Sequence, residues 1–233
     1  MSTFAKVSVP CPACGVTTPA RLAESANAGR HPAFRAQVLD GTFMRVRCGG
    51  CGAHTVVERE LLYTDLRRGQ LIGVFSTELR ADGASIDAGF RTVMEALAAE
   101  PGLAGSTITL RRVVFGYAEL REKLVGADAG LDDRVIEALK LVLLARTGWM
   151  TAGSRGLLLV AAEADTLVFE QCGVTGPEGR AVVARVPRVL ADRLAADLPA
   201  LATFLPVPAD ASWVSVHRLA AIAVQIPPAS THA

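Results

Sequence analysis

Four of the five cysteines fall in two short segments, Cys11-Pro12-Ala13-Cys14-Gly15 and Cys48-Gly49-Gly50-Cys51-Gly52. Two thiolates three positions apart on a tight turn are the half-site of a zinc knuckle. The small residues between them let backbone N–H groups point at sulfur, and the following glycine supplies a positive φ. Two such turns make a complete tetrahedral set, Cys11, Cys14, Cys48 and Cys51. A catalytic zinc keeps an open position, so this set predicts one structural Zn²⁺ per chain. The 33 residues between Cys14 and Cys48 exceed the usual spacing of about 15–20, which calls for a helical insertion between the knuckles. A redox dithiol at Cys11/Cys14 is a rival reading. It needs a helix starting at the first cysteine and leaves the second pair without a role. Metal-free structural thiols are the third reading. His54, three positions after Cys51, is a substitute ligand that four cysteines make unnecessary.

The remaining chemistry-bearing residues are scattered. Cys172 has no recognisable base beside it and reads as a small core hydrophobe. His217 lies singly in a partly apolar run, and Gly153-Ser154-Arg155-Gly156 does not form a nucleophile elbow. There is no Walker loop and no Gly-x-Gly-x-x-Gly. Tyr63, Asp65, Glu119 and Glu122 are the residues that a fold can bring together without leaving a sequence trace. Asp132 and Asp133 read as helix caps, with Glu137 near the same helical end. Arg45, Arg47, Arg67 and Arg68 form the one candidate nucleic-acid footprint, and Arg111-Arg112 is another short basic pair. A net charge of +1 over 233 residues argues against a polyanionic partner for the chain as a whole.

Several elements must position these groups. Phe4–Pro10 predicts a strand returning at Val16–Thr18. His31–Leu39 predicts a short helix with Pro32 in its first turn, stopped at Asp40-Gly41. Thr42–Arg47 predicts a strand entering the second knuckle. Thr55–Arg59 and Gln70–Ser76 predict a hairpin closed by Leu66–Gly69. Helices are expected at Ala88–Ala99, at Tyr117–Leu124 with a Glu119/Lys123 pair, and, longest, at Leu131–Arg146. A strand is expected at Thr107–Phe115. Gly156–Ala162 and Thr166–Glu170 read as a hairpin, Ala181–Val186 as a third strand, Pro187–Leu201 as a helix, and Trp213–Val224 as an apolar element. The expected class is α+β: a zinc-ribbon-like β unit at 1–80 with its helical insertion, a central helical segment at 81–151, and a small α+β unit at 152–233. With 51% hydrophobic residues, the chain can fill a core. No apolar run reaches transmembrane length or forms a leader, and the cysteines read as thiols or ligands, so a cytoplasmic protein is expected.

Several motifs, in order, resemble the bacterial CpXC family, named for its Cys-Pro-x-Cys turn. They are Val9–Gly15, His31-Pro32 through Leu39–Phe43, Cys48-x-x-Cys51-Gly52, Leu61–Asp65, Phe115-Gly116-Tyr117-x-Glu119-Leu120-x-Glu122-Lys123 and Leu131–Glu137. Gly49 stands where the family often has proline, which leaves the four ligands intact. The resemblance implies fold and metal, and assigns no reaction. The functional expectation is therefore a zinc-stabilised, non-catalytic binding or adaptor protein acting through protein contacts, with a second copy of the chain as one candidate partner. A nucleic-acid-binding regulator and an enzyme with an unrecognised carboxylate site are the alternatives.

Overall fold

The computed structural model describes residues 2–98, 108–147, 156–175, 181–201 and 211–215. Its class is α+β, with helices and several separate sheets. The chain divides into two compact units, Met1–Arg121 and Glu122–Ala233. Among the described residues no helix is long and apolar enough to cross a membrane.

The first unit opens with β1 (Phe4–Pro10) and β2 (Thr17–Ala23), an antiparallel pair running from Phe4↔Ala23 to Pro10↔Thr17. The returning strand is longer than Val16–Thr18, because pairing along all of β1 continues it to Ala23, with Leu22 and Ala23 buried. After β3 (Ser25–Asn27) comes α1 (Pro32–Asp40), with proline in its first turn. Gly41 ends the helix at φ 76°, where its N–H and that of Thr42 bond back to the last turn. The strand expected at Thr42–Arg47 shrinks to β4 (Arg45–Arg47). The cause is local: Asp40 Oδ1 accepts bonds from the Thr42 N–H and hydroxyl, and Met44 takes a positive φ of 56°. β4 pairs antiparallel with β5 (His54–Val56).

The larger sheet of this unit has the order β3-β6-β7-β8. Its hairpin joins β6 (Leu61–Asp65) to β7 (Gln70–Phe75), so the strand before the turn is Leu61–Asp65 and not Thr55–Arg59. The turn itself is as expected: a 3-10 turn over Leu66–Arg68, closed by Gly69 at φ 64°. β7 is buried on both faces from Gln70 to Val74, as a central strand must be. It pairs in parallel with β8 (Leu110–Phe115), which requires a crossover. A 3-10 turn (Thr77–Asp82) and α2 (Gly83–Ala98) supply it. A Cβ at Gly73 would lie 2.9 Å from Phe90 of α2 and 3.0 Å from Phe75, so the bare backbone there is what admits the two rings. At 16 residues α2 is longer than the helix near 131–146.

α3 (Tyr117–Asp128) runs past Leu124 and carries the 121/122 division within it. In the first unit its opening turn is tied down by Tyr117. The ring packs edge-on against Phe43 with centroids 5.1 Å apart, and the hydroxyl accepts the Arg59 N–H at 2.9 Å. Burial pushes the Tyr117 phenol up to about 12 from its ordinary value near 10. A phenol held protonated by the fold contributes stability that is complete below pH 10 and is lost as pH rises through about 12. Alkaline unfolding should therefore steepen in that window by roughly 1–2 kcal/mol after screening. Tyr117→Phe should remove that increment, which pH-dependent denaturant titrations would read directly.

The second unit contains α4 (Asp133–Thr147), the antiparallel sheet β11-β10-β9 and α5 (Arg188–Ala196), followed by α6 (Leu198–Leu201). β9 (Gly156–Ala162) and β10 (Thr166–Thr175) form the expected hairpin, and β11 (Ala181–Pro187) is the third strand. Val135, Ile136 and Leu139 of α4 share one core with Leu157, Leu159, Leu167, Phe169 and Val186 of the sheet. Of the expected element at Trp213–Val224, residues 213–215 are described, and Trp213 and Val214 are buried. The remainder of it, His217, and the Gly148–Arg155 segment with Ser154 lie outside the described residues.

Candidate metal centre

The two cysteine turns share one backbone design. In each, the N–H of the first cysteine donates to the carbonyl five residues on: Cys11 to Val16 at 3.0 Å and Cys48 to Ala53 at 2.7 Å. The glycine after the second cysteine donates back to the first, Gly15 to Cys11 at 2.9 Å and Gly52 to Cys48 at 3.0 Å. Both glycines are left-handed, at φ 73° and 75°, the conformation a side chain would resist. Pro12 and Gly49 occupy equivalent positions, so the second turn closes without proline. The turns meet each other as well. The Gly49 N–H donates to Thr18 Oγ1 at 3.1 Å, and the space above Gly50 is filled by the Val16 side chain.

The consequence is a cluster in which all four sulfurs lie within 4.8 Å of one another. Cys11 and Cys51 stand 3.6 Å apart, as do Cys14 and Cys48. That is too far for a disulfide, whose sulfurs sit about 2.05 Å apart. A Zn–S bond of about 2.3 Å in a tetrahedron gives an edge near 3.8 Å, so the donor set fits a four-sulfur metal ion. Cys11 and Cys48 are buried while Cys14 and Cys51 are exposed. Backbone N–H groups of Cys51 and Gly50 pull the Cys48 thiol down to about 6. At Cys14 the Val16 N–H pulls down, but the neighbouring thiols Cys51 and Cys48 push harder, up to about 12. Four thiolates this close repel one another, so full ionisation of the set calls for a cation. His54 sits exposed in β5 outside this cluster.

The carboxylates find partners of their own. Asp65, buried, lies 3.3 Å from Arg68 and 4.0 Å from Arg35; Arg35 also donates to Gln70 at 2.9 Å and to the Tyr63 hydroxyl at 3.4 Å. Arg68 is therefore part of an ion pair. Burial raises the Tyr63 phenol despite Arg35. Glu119 pairs with Arg80 at 3.0 Å and accepts the Phe115 N–H at 2.8 Å, so its expected partner Lys123 is replaced by Arg80. Cys172 is half-buried, with its thiol 3.9 Å from the Glu170 carbonyl.

In the second unit, α3 and α4 enclose a network of five charged side chains. Lys140 donates to Glu122 at 2.7 Å and to Glu137 at 2.9 Å. Lys123 donates to the Val214 carbonyl at 2.8 Å and to Glu137 at 3.3 Å, and lies 3.4 Å from Asp133. The other Glu122 oxygen accepts the Leu159 N–H at 2.7 Å. None of the five residues is more than 6% exposed, so these charges are internal. Burial pushes Glu122 up, against the pull of Lys140. Burial alone would lower both lysines. Asp133 and Glu137 outweigh it at Lys123, as Glu122 and Glu137 do at Lys140, and both rise. Asp132 caps the helix start by accepting the Arg134 N–H at 2.9 Å, and Asp133 lies within 3.4 Å of Lys123. Lys140 and Arg35 carry buried ion pairs that no motif in the sequence marks. For Lys140 there was a usable signal: Asp133, Glu137, Lys140 and Leu144 recur at i, i+4, i+7 and i+11, a single helical face, and all four are buried.

Paired knuckles on two short hairpins define a chain built around a four-cysteine cluster able to hold a metal ion. The chain belongs to the CpXC family: the family model described as CpXC protein matches residues 9–140. That range takes in both knuckles and all five charged members of the α3–α4 network. No curated protein and no solved structure matches the chain.

Proposed function

We propose that this is a zinc-stabilised binding protein of the cytoplasm, without catalytic activity of its own, that works by holding a protein partner. The observation that supports it is the donor set at the centre. Four protein sulfurs fill a tetrahedron, leaving no position for water or substrate. Its chemistry is that of a staple. Asp65, Glu119, Glu122 and Glu137 are likewise engaged with cations inside the fold, an arrangement suited to shape rather than proton transfer.

The contact surface we assign is in the second unit. Val183 on the edge strand β11 and Val189 and Leu190 on α5 are all exposed. Among the described residues β11 has a neighbouring strand on one side only, and apolar groups beside such an edge are a ready site for strand or helix addition. A photo-crosslinking residue at Val189 in the intact chain should trap one defined protein, and Val183→Glu with Leu190→Glu should abolish the adduct. Trapping a second copy of this chain would establish the homo-oligomer. Adducts no more specific than those from a control position at exposed Glu163 would overturn the assignment.

A further inference from the structure

We infer that the exposed face of the β1–β2 hairpin binds single-stranded nucleic acid, with phosphates at Lys6 and Arg21 and a base against the Phe4–His31 corner. The inference goes beyond the protein contact proposed above and needs only a folded hairpin. Lys6 and Arg21 are exposed and directly opposite one another in the strand register. Like charges in facing positions destabilise a strand pair, and a two-stranded ribbon has little stability to spare. Cross-strand partners share a face, and this one, from Phe4/Ala23 to Pro10/Thr17, carries no carboxylate. Neither cation makes an ion pair among the described residues.

A bland account would have these cations balance the metal-bound thiolates. Distance decides against it. Strands rise about 3.3 Å per residue, so Lys6 stands some 16 Å from Cys11, twice the screening length of about 8 Å at physiological salt. Arg47, whose guanidinium lies beside Gly52, is placed for that task instead.

What sits beside the two cations selects the class of anion. The Arg21 guanidinium lies over the Phe4 ring, 4.7 Å from its centroid. Phe4 in turn meets His31 edge-on at 6.2 Å and Phe34 at 5.9 Å, and His31 lies 5.4 Å from Phe34. His31 is exposed, and Phe4 and Phe34 are half-buried. An acidic peptide would use the cations and make no use of the exposed His31 ring beside them, and a duplex hides its base faces. A single strand presents phosphate and an unstacked π face together, which is the combination such sites take up.

The test is fluorescence anisotropy of a labelled oligo-dT of about 12 nucleotides with the zinc-loaded full chain. Binding is expected in the micromolar range at about 50 mM salt. Two phosphate contacts imply a roughly sevenfold loss on raising salt fourfold. Lys6→Gln and Arg21→Gln should each weaken binding and flatten that salt dependence. His31→Ala and Phe4→Leu, with melting curves confirming a folded hairpin, should weaken it about fivefold or more and leave the salt slope unchanged. No binding at about 200 μM protein would overturn the inference. Equal affinity for polyglutamate or an abasic oligomer would also overturn it, by showing that charge alone attracts.

Discussion

Cys48→Ser is expected to abolish stoichiometric zinc and to unfold the ribbon, exposing the amides of β1, β2, β4 and β5 to rapid hydrogen exchange while β9–β11 remain protected. The effect should be large because the ribbon has little else to hold it. β1–β2 and β4–β5 are separate two-stranded sheets, and an isolated hairpin is at best marginal in water. Structural zinc binding contributes about 10 kcal/mol or more of free energy coupled to folding, beyond what Val9 and Leu22, the large buried apolar side chains of β1 and β2, supply at about 1.5–3 kcal/mol each. A chelator should reproduce the variant's exchange pattern in the native chain. Cys172→Ser, with its thiol at the Glu170 carbonyl, should leave metal content unchanged. Elemental analysis finding no zinc in reducing, chelator-free protein would contradict the centre itself.

Lys140→Met is expected to cost about 3–5 kcal/mol, the usual loss when one partner of a buried ion pair is removed. Lys140 is 2% exposed and bonds to both Glu122 and Glu137. Without it Glu122 loses its buried ammonium partner, while Asp133 and Glu137 keep Lys123 beside them. The double variant Glu122→Gln/Lys140→Met should recover part of the loss, since the stranded charge is removed with its partner. Urea unfolding followed by the fluorescence of buried Trp213 would read both, and a single-variant loss below about 1 kcal/mol would mean that the network relaxes to solvent. The same lysines give an alkaline dependence. Their folded values are raised, so their contribution is complete below the ordinary lysine value near 10.4 and fades as pH climbs through the folded ones.

The sequence by itself determined what local chemistry dictates. Cysteine spacing and the glycines that follow it specify each knuckle without reference to the rest of the chain. Pro32 and Gly41 mark the ends of α1, and Gly69 closes the β6–β7 turn, because proline and a left-handed glycine act on their own backbone. Elements with strong periodicity, α4 and β9–β11, were legible for the same reason. Tertiary structure decided the partners. Whether Leu61–Asp65 or Thr55–Arg59 pairs with β7 depends on which strand buries its alternate face, and Tyr63 at 0% exposed against Ile72 at 0% settles it. Glu119 had Lys123 four positions away, and the fold gave it Arg80, 39 residues distant. Asp133 has Lys123, ten residues back along the chain, brought within 3.4 Å of it inside the fold. Lys6 and Arg21 are separated by the whole first knuckle, and only the strand register sets them face to face beside Phe4 and His31. Charges take the partner that burial brings within reach, because interaction strength depends on distance and on exclusion of water, neither of which a linear chain records.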